Sequence, residues 1–144
     1  MATLEQSVVG FSTDKAPDLS SRAVQERLSR SALSAFFKLA QAWQLRDESA
    51  RQLLGGVSNG MFYQLKSGHK KTLDQDKLTR ISLLVGIFKA LHVLYSRKLA
   101  DAWVNLANTN PMFQGEAPLP YMIQGGVPAL VRVRQLLDAR RGGR

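Results

Sequence analysis

GGVSNGMFYQLKSGHKK, residues 55–71, is the stretch whose reading decides the fold. Its two leading glycines predict the end of a helix, because glycine enters the left-handed cap conformation without a Cβ clash. Val57 then reads as an apolar plug. Ser58 predicts the next N-cap, since its hydroxyl can accept an N–H that the first turn leaves unpaired. The segment NGMFYQLKS follows as a second helix, and Gly68 terminates it. Upstream, Asp47 precedes ESARQLL. An acid before a short apolar-periodic segment predicts an N-cap at Asp47. The whole reads as helix, tight turn, helix.

Three functions compete for this stretch. A nucleotide-binding phosphate loop needs G-x-x-x-x-G-K-S/T, in which the lysine reaches phosphate and the hydroxyl holds a magnesium ion. Gly55 and Gly60 have the spacing, but Met61 and Phe62 stand where those two side chains belong, and no strand precedes them. That reading is rejected. A DNA-reading helix-turn-helix fits better. Leu53, Val57, Phe62 and Leu65 supply inward positions, which leaves Ser58, Asn59, Gly60, Tyr63 and Lys66 facing outward. Asn59 can pair with adenine, Lys66 can meet guanine or phosphate, and Gly60 lets the backbone approach closely. Ser67, His69, Lys70 and Lys71 are placed to grip phosphates, which fix register without reading sequence. An ordinary helical hairpin with a basic surface fits the same pattern, and the pattern by itself does not separate the two.

Working outward, Leu33, Phe36, Phe37 and Ala40 recur at helical spacing. They predict a helix from about Ser29 or earlier to about Leu45, with Trp43 closing the core. Residues 1–17 read as loosely ordered. Downstream, LDQDKLTRISLLVGIFKALHVLYS starts at Asp74 or Asp76 and carries two apolar stripes. One is Ile81, Leu84, Val85 and Phe88; the other is Leu83, Ile87, Ala90 and Leu94. A helix apolar on two sides is buried on two sides, so this one is expected to join the N- and C-terminal halves. Gly86 suggests a break within it. LADAWVNLANTNP predicts a further helix stopped at Asn110–Pro111. A turn-rich segment follows, with a short helix around Leu119 to Gln124. Pro128 suits the first turn of a final helix, whose Leu130, Val133 and Leu137 share a face. Arg140 and Arg141 suit its C-terminus, and Gly142 and Gly143 release a tail. No internal repeat and no strand-like alternation occurs. The chain reads as all-α.

Composition narrows the function. The 144 residues suffice for one domain or two small ones with a shared core. There is no cysteine, which removes disulfides, thiolate metal sites and cysteine nucleophiles and fits a reducing cytoplasm. The N-terminus carries acids and no long apolar block, unlike a signal peptide. The longest apolar run, Ile81 to Phe88, is too short to span a bilayer, so a soluble, cytoplasmic protein without a membrane partner is expected. Net charge is +9, and residues 61–100 hold eight basic against two acidic side chains. Such an excess suits either a polyanion partner or a solubilising surface. The two histidines, His69 and His92, give no credible zinc site, and no catalytic constellation stands out. His92 shares a face with Phe88 and Tyr95 and reads as a hydrogen-bonded core histidine. No metal, no cofactor and no enzymatic activity are expected. Trp103, Met112, Phe113, Tyr121 and Met122 cluster in the C-terminal third, as core or as a partner-binding surface.

Taken together, GVSNGMFYQLKSGHKKTLDQDKLTRISLLVGIFKALHVLY and LADAWVNLANTNPMFQGEAPLPYMIQGGVPALVRVRQLLDARRGG resemble an Xre-type antitoxin carrying the MbcA/ParS toxin-binding domain. The resemblance covers about Leu33 to Gly143. Its more specific part is Trp103, NPMFQG at 110–115, PLPYMIQGG at 118–126 and the VRVRQLLD helix. It implies an N-terminal segment at 1–28, an Xre-like helix-turn-helix domain at 29–96 and a small helical toxin-binding domain at 97–144. It further implies the antitoxin of a bacterial type II toxin–antitoxin system. Such an antitoxin neutralises a RES-domain toxin that depletes NAD⁺ and commonly represses its own operon. By position, the toxin contacts would be Phe113, Tyr121, Arg132 and Arg134, together with a blocking tail of Arg140, Arg141, Gly142, Gly143 and Arg144. The implied partners are the cognate toxin and operator DNA, in a homodimer or a toxin–antitoxin hetero-oligomer. A stand-alone helix-turn-helix transcriptional regulator whose C-terminal half dimerises is the alternative, and a structural adaptor is a third reading.

Overall fold

The computed structural model describes residues 17–68 and 72–142. Among them are six α-helices, two short 3₁₀ turns and no strand. The helices are α1 (Arg22–Ala42), α2 (Asp47–Leu53), α3 (Asn59–Lys66), α4 (Gln75–Leu94), α5 (Arg97–Ala102) and α6 (Pro118–Arg140). The expectation for the first 16 residues lies outside the described part. None of these helices is long and apolar enough to cross a membrane.

Helix α1 starts a full two turns before Ser29, because Ser21 caps it by accepting the Val24 N–H. Of the predicted stripe, Leu33, Phe36 and Ala40 are buried and Phe37 is half-buried; Trp43 closes the core as expected, and Leu39, outside that stripe, is buried as well. The helix ends just past Ala42 in a motif with no glycine. Gln44 takes the left-handed conformation at φ 54°, and Leu45 N–H donates to the Ala40 carbonyl at 3.0 Å. Those bonds satisfy carbonyls that a helix end leaves free. Ser29 is a buried polar residue that reaches across the fold. Its hydroxyl donates to the Gln25 carbonyl and accepts the Leu73 N–H at 2.7 Å, which ties the lead-in of α4 to α1.

Helix α4 is the spine. Asp74 caps it, accepting the Lys77 N–H at 2.9 Å. Nine of its residues are buried, on both sides, and it packs against α1 on one side and α6 on the other. One continuous core therefore runs from Ala32 to Leu137. The break suggested at Gly86 does not occur. The glycine is needed for close approach: a Cβ there would overlap the Arg134 guanidinium that α6 lays across it.

Two further expectations are corrected. Asp47 is not the N-cap of α2; Arg46 holds that position and makes no side-chain cap bond. Asp47 sits one residue later with Glu48, where both carboxylates favour the positive end of the helix dipole. The helix after Lys98 also stops sooner, ending in a 3₁₀ turn at Trp103–Asn105 rather than at Asn110–Pro111. Asn105 Nδ2 donates to the Trp43 carbonyl at 2.8 Å and anchors this turn to the end of α1. Asn110 instead opens a second 3₁₀ turn, Pro111–Phe113, by accepting the Met112 N–H. In α6 the sequence pattern holds well. The backbone leaves helical geometry at Gly126 (φ 62°, ψ −149°), which separates a short first segment from the final helix that Pro128 begins. Leu130, Val133 and Leu137 are fully buried beneath that final segment.

Candidate functional site

The first candidate surface is α2, its turn and α3. Gly55 and Gly56 adopt φ of 100° and 83°, and Gly56 N–H donates to the Arg51 carbonyl at 2.9 Å. Arg51 Nε braces the turn by donating to the Val57 carbonyl at 3.0 Å. Ser58 accepts the Met61 N–H and caps α3. Leu53, Val57, Phe62 and Leu65 are buried, and Phe62 stacks edge-on against Phe37 of α1. This packing fixes the angle of α3 and leaves Ser58, Asn59, Gly60, Tyr63, Lys66 and Ser67 exposed in one region. His69, Lys70 and Lys71 lie outside the described residues.

An acid occupies part of this surface. The Asp47 carboxylate accepts the Tyr63 hydroxyl and the Lys66 ammonium, each at 3.3 Å. The sequence reading assigned Asp47 only to a helix cap and missed this role. No local spacing signals it, because the partners are 16 and 19 residues away. Both members of the ion pair are about half exposed. Such pairs contribute on the order of 0–1 kcal/mol, so Lys66 is only weakly held.

The second candidate surface lies around α5, the 3₁₀ turns and α6. His92 is a core histidine: its side chain is 5% exposed, its Nε2 lies 2.9 Å from Asp101 Oδ1, and its ring packs on Phe88. It joins the end of α4 to α5. Trp103, Phe113 and Tyr121 form an edge-to-face series at centroid distances of 5.9 and 5.4 Å. Phe113 is only 2% exposed, so it is a packing residue here and not a surface contact. Tyr121 is half-buried and Arg132 is exposed.

The arginines divide into fixed and outlying groups. Arg134 is half-buried, with Nε 3.1 and 3.4 Å from the two Asp138 oxygens. That position, over Gly86, makes it a staple between α6 and α4. Arg141 also reaches Asp138, at 3.5 Å, and Arg140 donates to the Tyr95 hydroxyl at 3.2 Å. The Asp138 contacts were legible as i, i+3 and i, i+4 spacings; the Tyr95 contact, 45 residues away, was not. Gly142 turns the chain out of the helix at φ 84°. Gly143 and Arg144 lie outside the described residues. No group of three or more potential metal ligands occurs among the described residues.

Two exposed surfaces thus sit on one helical core. Residues 89–143, covering the end of α4 through α6, match the antitoxin Xre/MbcA/ParS C-terminal toxin-binding domain. A protein of Sinorhizobium fredii (strain NBRC 101917 / NGR234), known as uncharacterized protein y4oB, is 38% identical over 112 residues, covering 77% of this chain and 84% of that one. No solved structure matches the chain. The chain belongs to the Xre/MbcA/ParS family of antitoxins, and its C-terminal unit is the family's toxin-binding domain, a binding module rather than an enzyme.

Proposed function

We propose that this chain is the antitoxin of a type II toxin–antitoxin module, and that it neutralises a RES-domain, NAD⁺-degrading toxin by direct binding in the bacterial cytoplasm. The observation that carries the reading is the match of residues 89–143 to a toxin-binding domain, on a surface that presents exposed Arg132, Arg140 and Arg141. Exposed Leu99 and Leu106 in the same region add apolar area for a partner. The arginine tail enters an electronegative or nucleotide-binding cleft of the toxin, where a planar guanidinium meets carboxylates or phosphates bidentately. Deleting residues 140–144 tests this. Among the described residues, the truncation removes the side-chain contacts to Tyr95 and Asp138 and the last backbone bonds of α6, and no buried side chain. Neutralisation should fall while the unfolding midpoint stays nearly constant. Full rescue of toxin-expressing cells by the truncated chain would count against the tail.

The chain also represses its own operon through α2 and α3, as a homodimer or within a toxin–antitoxin hetero-oligomer. The exposed set of Asn59, Tyr63 and Lys66 on a well-anchored helix favours this second activity. Asn59→Ala should relax base preference on the upstream DNA. Undiminished preference in that variant would remove α3 from the reading role. A stand-alone regulator whose C-terminal half dimerises is the competing account, and a chain that binds DNA but no toxin would favour it.

A further inference from the structure

A groove of about 890 Å³ runs along the outer side of α1 to the C-terminal end of α3. Arg27, Arg30 and Lys38 of α1 and Lys66 of α3 line it. On α1, residues 27, 30, 34, 38 and 41 fall at successive three- and four-residue steps, so they form one stripe. At 1.5 Å per residue that stripe is about 21 Å long. Ser34 and Gln41 interleave hydrogen-bonding groups with the cations. The acid in the wall, Glu26, is held by Arg22 at 3.0 Å. Among the described residues Arg27, Arg30 and Lys38 are drawn into no ion pair. Leu33 and Leu65 at the groove are 9% and 3% exposed, and half-buried Phe37 supplies the remaining apolar wall between the cations.

We infer that this groove seats the phosphate backbone of duplex DNA beside the stretch read by α3, with Arg27, Arg30 and Lys38 as positioning contacts. It rests on the DNA-binding reading above and extends that footprint onto a helix outside the α2–α3 pair. Two observations favour DNA as the occupant. The groove offers cations and polar donors, the groups that meet phosphate oxygens. It is also continuous with the reading face, because Lys66 lines the groove and shares the exposed side of α3 with Asn59 and Tyr63. Phosphate contacts of this kind carry no base information, so they strengthen binding to every sequence alike.

The test compares the full chain with Arg30→Ala/Lys38→Ala and with the charge-preserving Arg30→Lys/Lys38→Arg. Fluorescence anisotropy is read on the chain's own upstream duplex and on an unrelated duplex of equal length, across a salt series. Removing two phosphate contacts should lower the slope of log K against log salt by roughly 1.8, at about 0.9 per phosphate. Affinity should fall about equally on both duplexes, and the charge-preserving variant should keep the parent slope. Toxin neutralisation should not change. If the parent binds DNA and the alanine variant keeps its slope, the groove does not hold DNA and the inference is overturned. Conversion of a dimer to a monomer at unchanged slope per protomer would overturn it too, by assigning the groove to a second copy. If the parent binds neither duplex, the DNA-binding reading itself fails and takes the inference with it.

Discussion

Gly86→Ala should destabilise the protein in the parent and stabilise it once Arg134 is gone. In an unobstructed helix interior, alanine is favoured over glycine by about 1 kcal/mol, chiefly through backbone entropy. At Gly86 the added methyl would occupy the place of the Arg134 guanidinium, so Arg134 has to swing away. It then gives up two bonds from Nε to Asp138, a pair about 30% exposed on each side. Partly buried charge-assisted bonds of this kind contribute about 1–2 kcal/mol after discounting for solvent. Displacing a packed group adds on the order of 1 kcal/mol. The net in the parent is a loss of about 1–2 kcal/mol. In Arg134→Ala nothing else lies closer than 3.0 Å to the new methyl, and Gly86→Ala should gain up to about 1 kcal/mol there. The coupling across the double-mutant cycle is then about 2–3 kcal/mol. Urea unfolding of the four proteins, followed by far-ultraviolet circular dichroism and tryptophan fluorescence, reads it as a change in midpoint at constant slope. Equal stabilisation by Gly86→Ala in both backgrounds would refute the staple.

Other perturbations follow from the same geometry. The Lys77 backbone N–H holds the Asp74 carboxyl below its ordinary pKa, outweighing desolvation. A depressed folded-state pKa gives stability that is present above the unfolded value near 4 and lost as pH falls through the folded value. Asp74→Ala should therefore cost about 1 kcal/mol near neutral pH, and the deficit should fade below about pH 4 when unfolding is measured by urea titration. Asp47→Asn removes the ion pair to Lys66 and a negative charge from the α3 surface; affinity for any duplex should rise about fivefold by anisotropy, roughly 1 kcal/mol. Gly126→Ala forces a side chain into φ 62°, ψ −149°, a region essentially reserved for glycine; it should lower stability by about 1–3 kcal/mol. Phe113→Ala empties a buried site between Trp103 and Tyr121. It should cost about 3–5 kcal/mol and weaken toxin capture only in proportion to unfolding, as measured by binding at low temperature.

Local signals were the legible ones. Ser58, the Gly55–Gly56 pair, Gly68, Asp74 and Pro128 mark helix ends by their own backbone chemistry, and the structure uses each that way. The two-sided burial of α4 also followed from its two stripes. Misreadings arose where a residue's role depends on a distant partner. Gly86 looks like a helix breaker in isolation, and only Arg134, 48 positions on, makes it a contact point. Asp47 looks like a cap, yet it pairs with Lys66. The end of α1 lacked a glycine because Gln44 accepts the left-handed conformation in its place. At the C-terminal surface the aromatic cluster could have been core or contact. Burial of Phe113 decides that residue, and half-buried Tyr121 stays at the edge of the surface.

The most direct test is co-expression of the chain with the product of the adjacent gene, followed by size-exclusion chromatography with mass determination and an NAD⁺ consumption assay on the isolated species. The account predicts a stable complex, fixed in stoichiometry by its mass, in which the partner no longer consumes NAD⁺. Separate elution, with the partner's activity intact and the chain alone still shifting its upstream DNA, would contradict toxin neutralisation and leave a transcriptional regulator.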